Sequence, residues 1–192
     1  MIAKPTPLAQ PVADEARLVA RARERDAVAF EQLIVAQAAP LQRMLRRMLG
    51  STADAEEVLQ ETFLKAWRAI ERFRGDAQFS TWLYRIAVNE ARRRQAYDAH
   101  RRALPIDDLM VELPDLSAGP AALAESAELE AFIEQCVAEL PVSYREAVVL
   151  RDVEGLSNEE AAAVLELDLR NFKSRLHRGR MAIRRQVEER YG

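Results

Sequence analysis

Two clusters of side chains have the types and spacing to do chemistry, and in both the chemistry is the binding of nucleic acid. The first is the run Phe73-Arg74-Gly75-Asp76-Ala77-Gln78-Phe79-Ser80-Thr81-Trp82, with Arg85, Asn89 and Arg92 beyond it. Aromatic rings offer planes for unstacked bases, and arginines hold phosphates. Arg85, Asn89 and Arg92 follow helical spacing and share one face. The other reading of Phe79 and Trp82 is structural, as core residues at a helix start. The second cluster is Arg170, Lys173, Ser174, His177 and Arg178, opposite an apolar stripe of Leu169, Phe172, Leu176, Ile183 and Val187. Long donors on such a helix reach base edges and phosphates in a major groove. A plain helical hairpin has similar periodicity, so the pattern alone leaves both readings open.

Catalysis has no comparable footing. The chain has no P-loop, no G-x-S-x-G, no H-E-x-x-H and no glycine-rich dinucleotide turn. One cysteine, Cys136, excludes an internal disulfide framework, and with only His100 and His177 beside it little remains for a zinc site. No metal, cofactor, small-molecule substrate or enzymatic activity is expected. No apolar run is long enough to cross a membrane. The first dozen residues carry Pro5, Pro7 and Pro11 without the apolar stretch of a secretory signal, so a cytoplasmic location is expected.

The elements that must position these clusters are helices. The chain has 192 residues, enough for one medium domain or two small ones. With 49% hydrophobic and 31% charged residues a core can form, while 6% aromatics and six glycines argue against a β protein. Residues 1 to about 13 read as a flexible tail. From Ala27, Phe30, Leu33, Ile34, Leu41, Met44, Leu45 and Met48 fall on one helical face. Pro40 predicts a kink or a split there, and Gly50 a stop. Ser51, Thr52 or Asp54 can cap the next helix, with Leu59, Phe63, Ala66, Trp67 and Ile70 on one stripe. Its other side shows Glu57, Gln60, Glu61 and Leu64. A loop over 73–78 precedes a third helix, expected over 81–95 with Ser80 as its cap.

Residues 97–125 carry Pro105, Pro114, Gly119 and Pro120 and read as a linker. The apolar period resumes at Leu129, Phe132, Ile133, Val137 and Leu140, and Pro141 breaks it. A helix over 144–153 ends at Gly155. Ser157 and Glu160 form a capping box for a short alanine-rich helix over 158–165. A turn over 166–168 follows, and Asp168 can cap the longer basic helix. Short helix, tight turn and basic helix make a helix-turn-helix pattern.

The net charge of −3 predicts no polyanion partner, but its distribution does. From Ala103 to Glu139 there is no Lys or Arg, while Asp107, Asp108, Glu112, Asp115 and further acids fill the stretch. A basic block lies on each side. This suggests two polyanion-binding modules and a repelling spacer, although each block also fits a solvated helix face.

Two segments carry a resemblance. DAEEVLQETFLKAWRAIERFRGDAQFSTWLYRIAVNEARRR, 54–94, resembles region 2 of bacterial RNA polymerase sigma factors, and LPVSYREAVVLRDVEGLSNEEAAAVLELDLRNFKSRLHRGRMAIRR, 140–185, resembles region 4. Their order, and the short linker without a helical region between, resemble the extracytoplasmic-function (ECF) group. The resemblance implies an all-α chain: a tail and first helix over 1–25, a region 2 domain over 26–96, an acidic linker over 97–127 and a region 4 domain over 128–192. It implies a transcription initiation factor, with a role in stress response, that binds core RNA polymerase through its β′ and β subunits. The polymerase-binding helix would present Glu57, Gln60, Glu61 and Leu64. Arg74, Asp76, Gln78, Ser80, Trp82, Arg85, Asn89 and Arg92 would meet the −10 element as an extruded strand. Arg170, Lys173, Ser174, His177 and Arg178 would meet the −35 element as a duplex. An anti-sigma factor is an implied partner. Glu166 departs from the family pattern, standing where glycine is common. A stand-alone helix-turn-helix regulator is the competing reading.

Overall fold

The computed structural model describes residues 13–103 and 121–191. The expected tail up to residue 12, and the acidic stretch from Asp107 to Asp115, lie outside the described residues. Within them the regular elements are all helical: α1 Ala13–Arg23, α2 Ala27–Leu49, α3 Thr52–Ala69, α4 Phe79–Ala103, α5 Ala121–Glu139, α6 Val142–Val148, α7 Asn158–Val164 and α8 Leu169–Tyr191. A 3₁₀ turn, Ile70–Arg72, follows α3, and a π-helical turn, Val149–Val153, follows α6.

Helices α1 to α4 form the first bundle. Asp26 caps α2, its carboxylate accepting from the Val28 and Ala29 amides at 3.0 and 3.1 Å. The bond from the Ala29 amide, together with the Arg21 guanidinium that donates to the same carboxylate, holds its pKa below the usual carboxylate range. Ser51 caps α3 by accepting from the Asp54 amide. Gly50, at φ 73°, ends α2 as expected. Of the kink or split expected at Pro40, the split does not occur, because α2 runs unbroken through it. Phe30 and Leu33 before the proline, and Leu41, Met44, Leu45 and Met48 after it, are buried in one core. Burying large apolar side chains stabilises by about 1.5–3 kcal/mol each, which outweighs the ~3 kcal/mol of one interior proline.

Helix α4 starts at Phe79, earlier than expected, so Ser80 sits buried within its first turn rather than capping it. The helix continues to Ala103, and α5 begins at Ala121. Both therefore reach into the span 97–127 assigned to the linker.

Helices α6 to α8 form the second bundle, with Phe172 and Leu176 of α8 buried beside Val148, Leu150 and Leu165. Gly179 continues their stripe and lets α8 lie against α6. A Cβ there would come within 2.7 Å of Val148 Cγ2 and 3.3 Å of the Tyr144 carbonyl oxygen. Val148 is buried and β-branched, hence stiff. Gly179→Ala is expected to destabilise the protein by about 1 kcal/mol net: overpacking costs about 1–3 kcal/mol, and alanine's better helix propensity returns about 1 kcal/mol. The urea midpoint checks this; an unchanged or higher midpoint would show that the crossing can widen freely.

The two bundles also touch. Arg92 of α4 donates to both carboxylate oxygens of Glu146 of α6, at 2.7 and 2.8 Å. Tyr84 donates to Glu154 at 3.1 Å, and Arg145 donates to the Met48 carbonyl at 2.9 Å, while Arg47 ties the first bundle to α5 through Glu134 at 2.9 Å.

Candidate nucleic-acid and polymerase interfaces

The loop between the 3₁₀ turn and α4 is built around its rings. Phe73 and Phe79 are buried, and Trp82 packs on both with centroids 4.9 and 5.7 Å away. For Phe79 the structural reading holds. Trp82 stays partly exposed and is the member of this trio with surface left to offer. Gly75 takes φ 79° with open space where a side chain would stand, which lets the backbone be approached closely. Arg74 and Asp76 are exposed, Gln78 is half-buried, and Ser80 is buried at 5% exposure. A cleft of about 290 Å³ opens here, lined by Arg72, Arg74, Asp76, Trp82, Arg85 and, from α7, Ala163. Arg85 is exposed, Asn89 half-buried, and Arg92 is taken up by Glu146. That hydrogen bonding raises Arg92's pKa further above its ordinary value.

On α3, Glu57, Gln60, Glu61 and Leu64 are all exposed on the side opposite Ala55, Val58, Thr62 and Ala66. Leu64, at 49% exposure, is an apolar group left on a polar stripe. Glu57 already accepts from Arg94 at 2.7 Å.

In the second bundle the capping box is present. Ser157 accepts from the Glu160 amide at 3.1 Å, and Glu160 accepts from the Ser157 amide at 2.8 Å. Asp168 caps α8 by accepting from the Asn171 amide at 2.9 Å, which lowers its pKa. Glu166 takes φ 56°, costing a non-glycine residue roughly 1–2 kcal/mol. The turn closes because the Leu167 amide donates to the Ala162 carbonyl at 2.9 Å. Arg170, Lys173, Ser174, His177 and Arg178 are all exposed. Arg151, Asn158 and Arg180 join Lys173 and His177 around a second cleft of about 240 Å³. The sequence reading did not place Arg151 or Asn158 here, since they lie on other elements. Arg180 lies on α8 itself and follows His177 by three residues, a spacing that identifies the same face.

Sigma-70 region 2 matches residues 33–103, and Sigma-70, region 4 matches residues 133–183. The RNA polymerase sigma-H factor of Pseudomonas aeruginosa is 35% identical over 87% of this chain and 90% of its own length. The ECF RNA polymerase sigma-E factor of Escherichia coli is 36% identical over 89% of this chain and 93% of its own. The chain belongs to the ECF family of RNA polymerase sigma factors. The structure of CnrH in complex with the cytosolic domain of CnrY is similar to this sigma factor throughout, with a TM-score of 0.68 and 28% identity over 93% of this chain and 99% of that one. A stand-alone regulator is not favoured, because both sigma regions are present in order. No described helix of the sigma factor is long and apolar enough to cross a membrane.

Proposed function

We propose that this sigma factor divides promoter reading between its halves. Residues 26–96 take the −10 element as a single strand, and residues 128–192 take the −35 element as a duplex. Glu57, Gln60, Glu61 and Leu64 dock on the β′ subunit of core polymerase, and the β subunit holds the second half. Polymerase supplies the RNA chemistry, so the sigma factor has no catalytic residue. It works in the cytoplasm, beside polymerase and DNA. An anti-sigma factor is a further partner, a reading supported by likeness to CnrH, whose structure holds the cytosolic domain of CnrY.

The observation that carries this reading is the two-sided build of α8. Phe172, Leu176 and Gly179 are buried, while Arg170, Lys173, Ser174, His177 and Arg178 stand exposed on the other side. With core polymerase present, Lys173→Ala is expected to change base preference at −35, losing ~1–3 kcal/mol of discrimination. Arg178→Ala is expected to lower affinity for all sequences alike and to reduce the salt slope by about 1. Footprints over a promoter library separate the two effects. Wild-type selection and affinity in both variants would mean that α8 is not the reader.

A further inference from the structure

The turn between α1 and α2 closes in a way that glycine serves best. The Arg25 amide donates to the Ala22 carbonyl at 3.0 Å, and the Asp26 amide to the Arg21 carbonyl at 3.2 Å. These two bonds place Arg25 at the left-handed position of a Schellman motif, at φ 67°. A side chain there is strained, and glycine would take the position freely. Strain of this kind persists where surrounding contacts over-determine it.

Those contacts come from the Arg25 guanidinium. It donates to the Trp67 carbonyl, one of the last of α3, at 2.9 Å. It pairs with Glu71 in the 3₁₀ turn, and it lies over the Trp67 ring at 5.3 Å. That ring in turn rests on Phe30 of α2, with centroids 5.0 Å apart. Arg25 and Glu71 keep 43% and 51% of their side-chain surface exposed, and such an ion pair alone contributes little. A planar fork that also meets a carbonyl and an aromatic face is held at three points.

The place of this hold matters more than its strength. Glu71 is followed by Arg72, which lines the cleft of the −10 loop, and by Phe73, which opens that loop. Ile70 and Phe73 are buried on either side, and the Phe73 amide donates to the Ile70 carbonyl at 3.0 Å. The 3₁₀ turn is thus a short link buried at both ends, and a group that fixes Glu71 fixes where the loop leaves the bundle. Arg25 does not line the cleft and acts only through this link. We propose that Arg25 is a positioning residue for −10 recognition, pinning the start of the loop to the α1–α2 turn. The proposal rests on the reading of that loop as the −10 site.

Variants of the full chain test it. Arg25→Ala removes the side chain and keeps the strain, whereas Arg25→Gly removes both, so the glycine variant is expected to have the higher thermal midpoint. Both are expected to lose about three- to tenfold of −10 discrimination in holoenzyme on pre-melted templates, with −35 binding unchanged. Discrimination that recovers with the midpoint in Arg25→Gly would make Arg25 a stabilising residue only and overturn the proposal. Hydrogen exchange reads the loop without DNA. Amides over 70–78 are expected to exchange about tenfold faster in Arg25→Gly, with those of α8 unchanged. Unchanged exchange over 70–78 overturns the pin. Glu71→Gln weakens one hold and leaves Arg25 in place. It is expected to lower discrimination by a smaller factor, and it decides the matter if the Arg25 variants lose helicity. Added to Arg25→Gly it is expected to cost nothing further, because the pair is already broken; a full additional loss would show Glu71 acting without Arg25 and overturn the proposal. The loop reading is judged separately, by Gln78→Ala combined with Asn89→Ala. Normal discrimination by that double variant removes the loop as reader. Loss there, with normal discrimination in Arg25→Gly, leaves the loop as reader and removes Arg25 as its positioning residue.

Discussion

Glu61→Arg is expected to weaken assembly with core polymerase by about 30-fold or more, while leaving the helical circular-dichroism spectrum and the thermal midpoint unchanged. Truncated hot-spot residues cost at least ~2 kcal/mol, which is about 30-fold in affinity. Reversing the charge adds repulsion to the loss of contact. The substitution is well isolated from the fold. Glu61 is exposed, and α3 is anchored through Ala55, Val58, Thr62 and Ala66 on its far side. Its neighbour Glu57 makes a poorer probe, since it binds Arg94, which also pairs with Asp54 and Asp98. Loss of a Glu57 carboxylate would disturb that network as well as any partner. Titration of labelled core polymerase with the variant gives the number; wild-type affinity would remove the α3 stripe from the interface.

Much of the fold was legible because local chemistry agreed with tertiary need. The cap at Ser51, the box at Ser157 and Glu160, the cap at Asp168 and the stop at Gly50 all stand where the sequence puts them. These features depend on residues within a few positions of one another, so a short window contains their whole cause. Left-handed residues were legible where glycine occupies them, and at Glu166 through the resemblance, which puts glycine there. Arg25, at φ 67°, ends α1 in the same way as a glycine would, and nothing in its type announces it. Its side chain stabilises the turn from a distance, donating to the Trp67 carbonyl at 2.9 Å and pairing with Glu71. No split occurs at Pro40 for the complementary reason: the local penalty is real, but the burial that outweighs it comes from α1, α3 and α4.

The candidate faces divide along the same line. The exposed side of α8 follows from periodicity alone, because the buried stripe fixes it. Gly179 continues the Phe172 and Leu176 stripe and is buried, but a glycine carries no hydropathy signal, so the close crossing with α6 was not read. Arg92 was correctly placed beside Asn89 on α4, yet its partner Glu146 is 54 residues away and on another bundle. No periodicity within either helix connects them. Ser80 was read as a cap from its place at a helix start, but α4 begins at Phe79, whose ring packs on Phe73, and Ser80 is buried in the first turn.

The loop before α4 carries the other large expected effect. In holoenzyme, Gln78→Ala combined with Asn89→Ala is expected to lose a few kcal/mol of −10 discrimination, with binding at −35 unchanged. Extruding a base costs a few kcal/mol, so an extruded strand is held only if the loop supplies comparable contacts. The geometry limits which groups can do so. Phe73 and Phe79 are buried and brace the loop, and Ser80 is buried with them. Trp82 retains exposed surface and is available for stacking, which contributes ~1–3 kcal/mol per base and tolerates any sequence. Discrimination therefore falls to polar groups, and of those at the loop and on α4, Gln78, Asn89 and Gln95 carry both a donor and an acceptor on a neutral amide, Gln95 being taken up by the Met48 carbonyl. Gln78 and Asn89 are half-buried, so their side chains are restrained before a base arrives. Asp76, with an acceptor-only carboxylate, can meet only donors, and Arg85 suits phosphates. The measurement compares promoters with a pre-melted −10 bubble, so that duplex opening does not enter the result. Trp82→Ala on the same templates is expected to weaken binding to every −10 sequence equally. Equal discrimination by the double variant and the wild type would make the loop a structural brace and move −10 reading elsewhere on the first bundle.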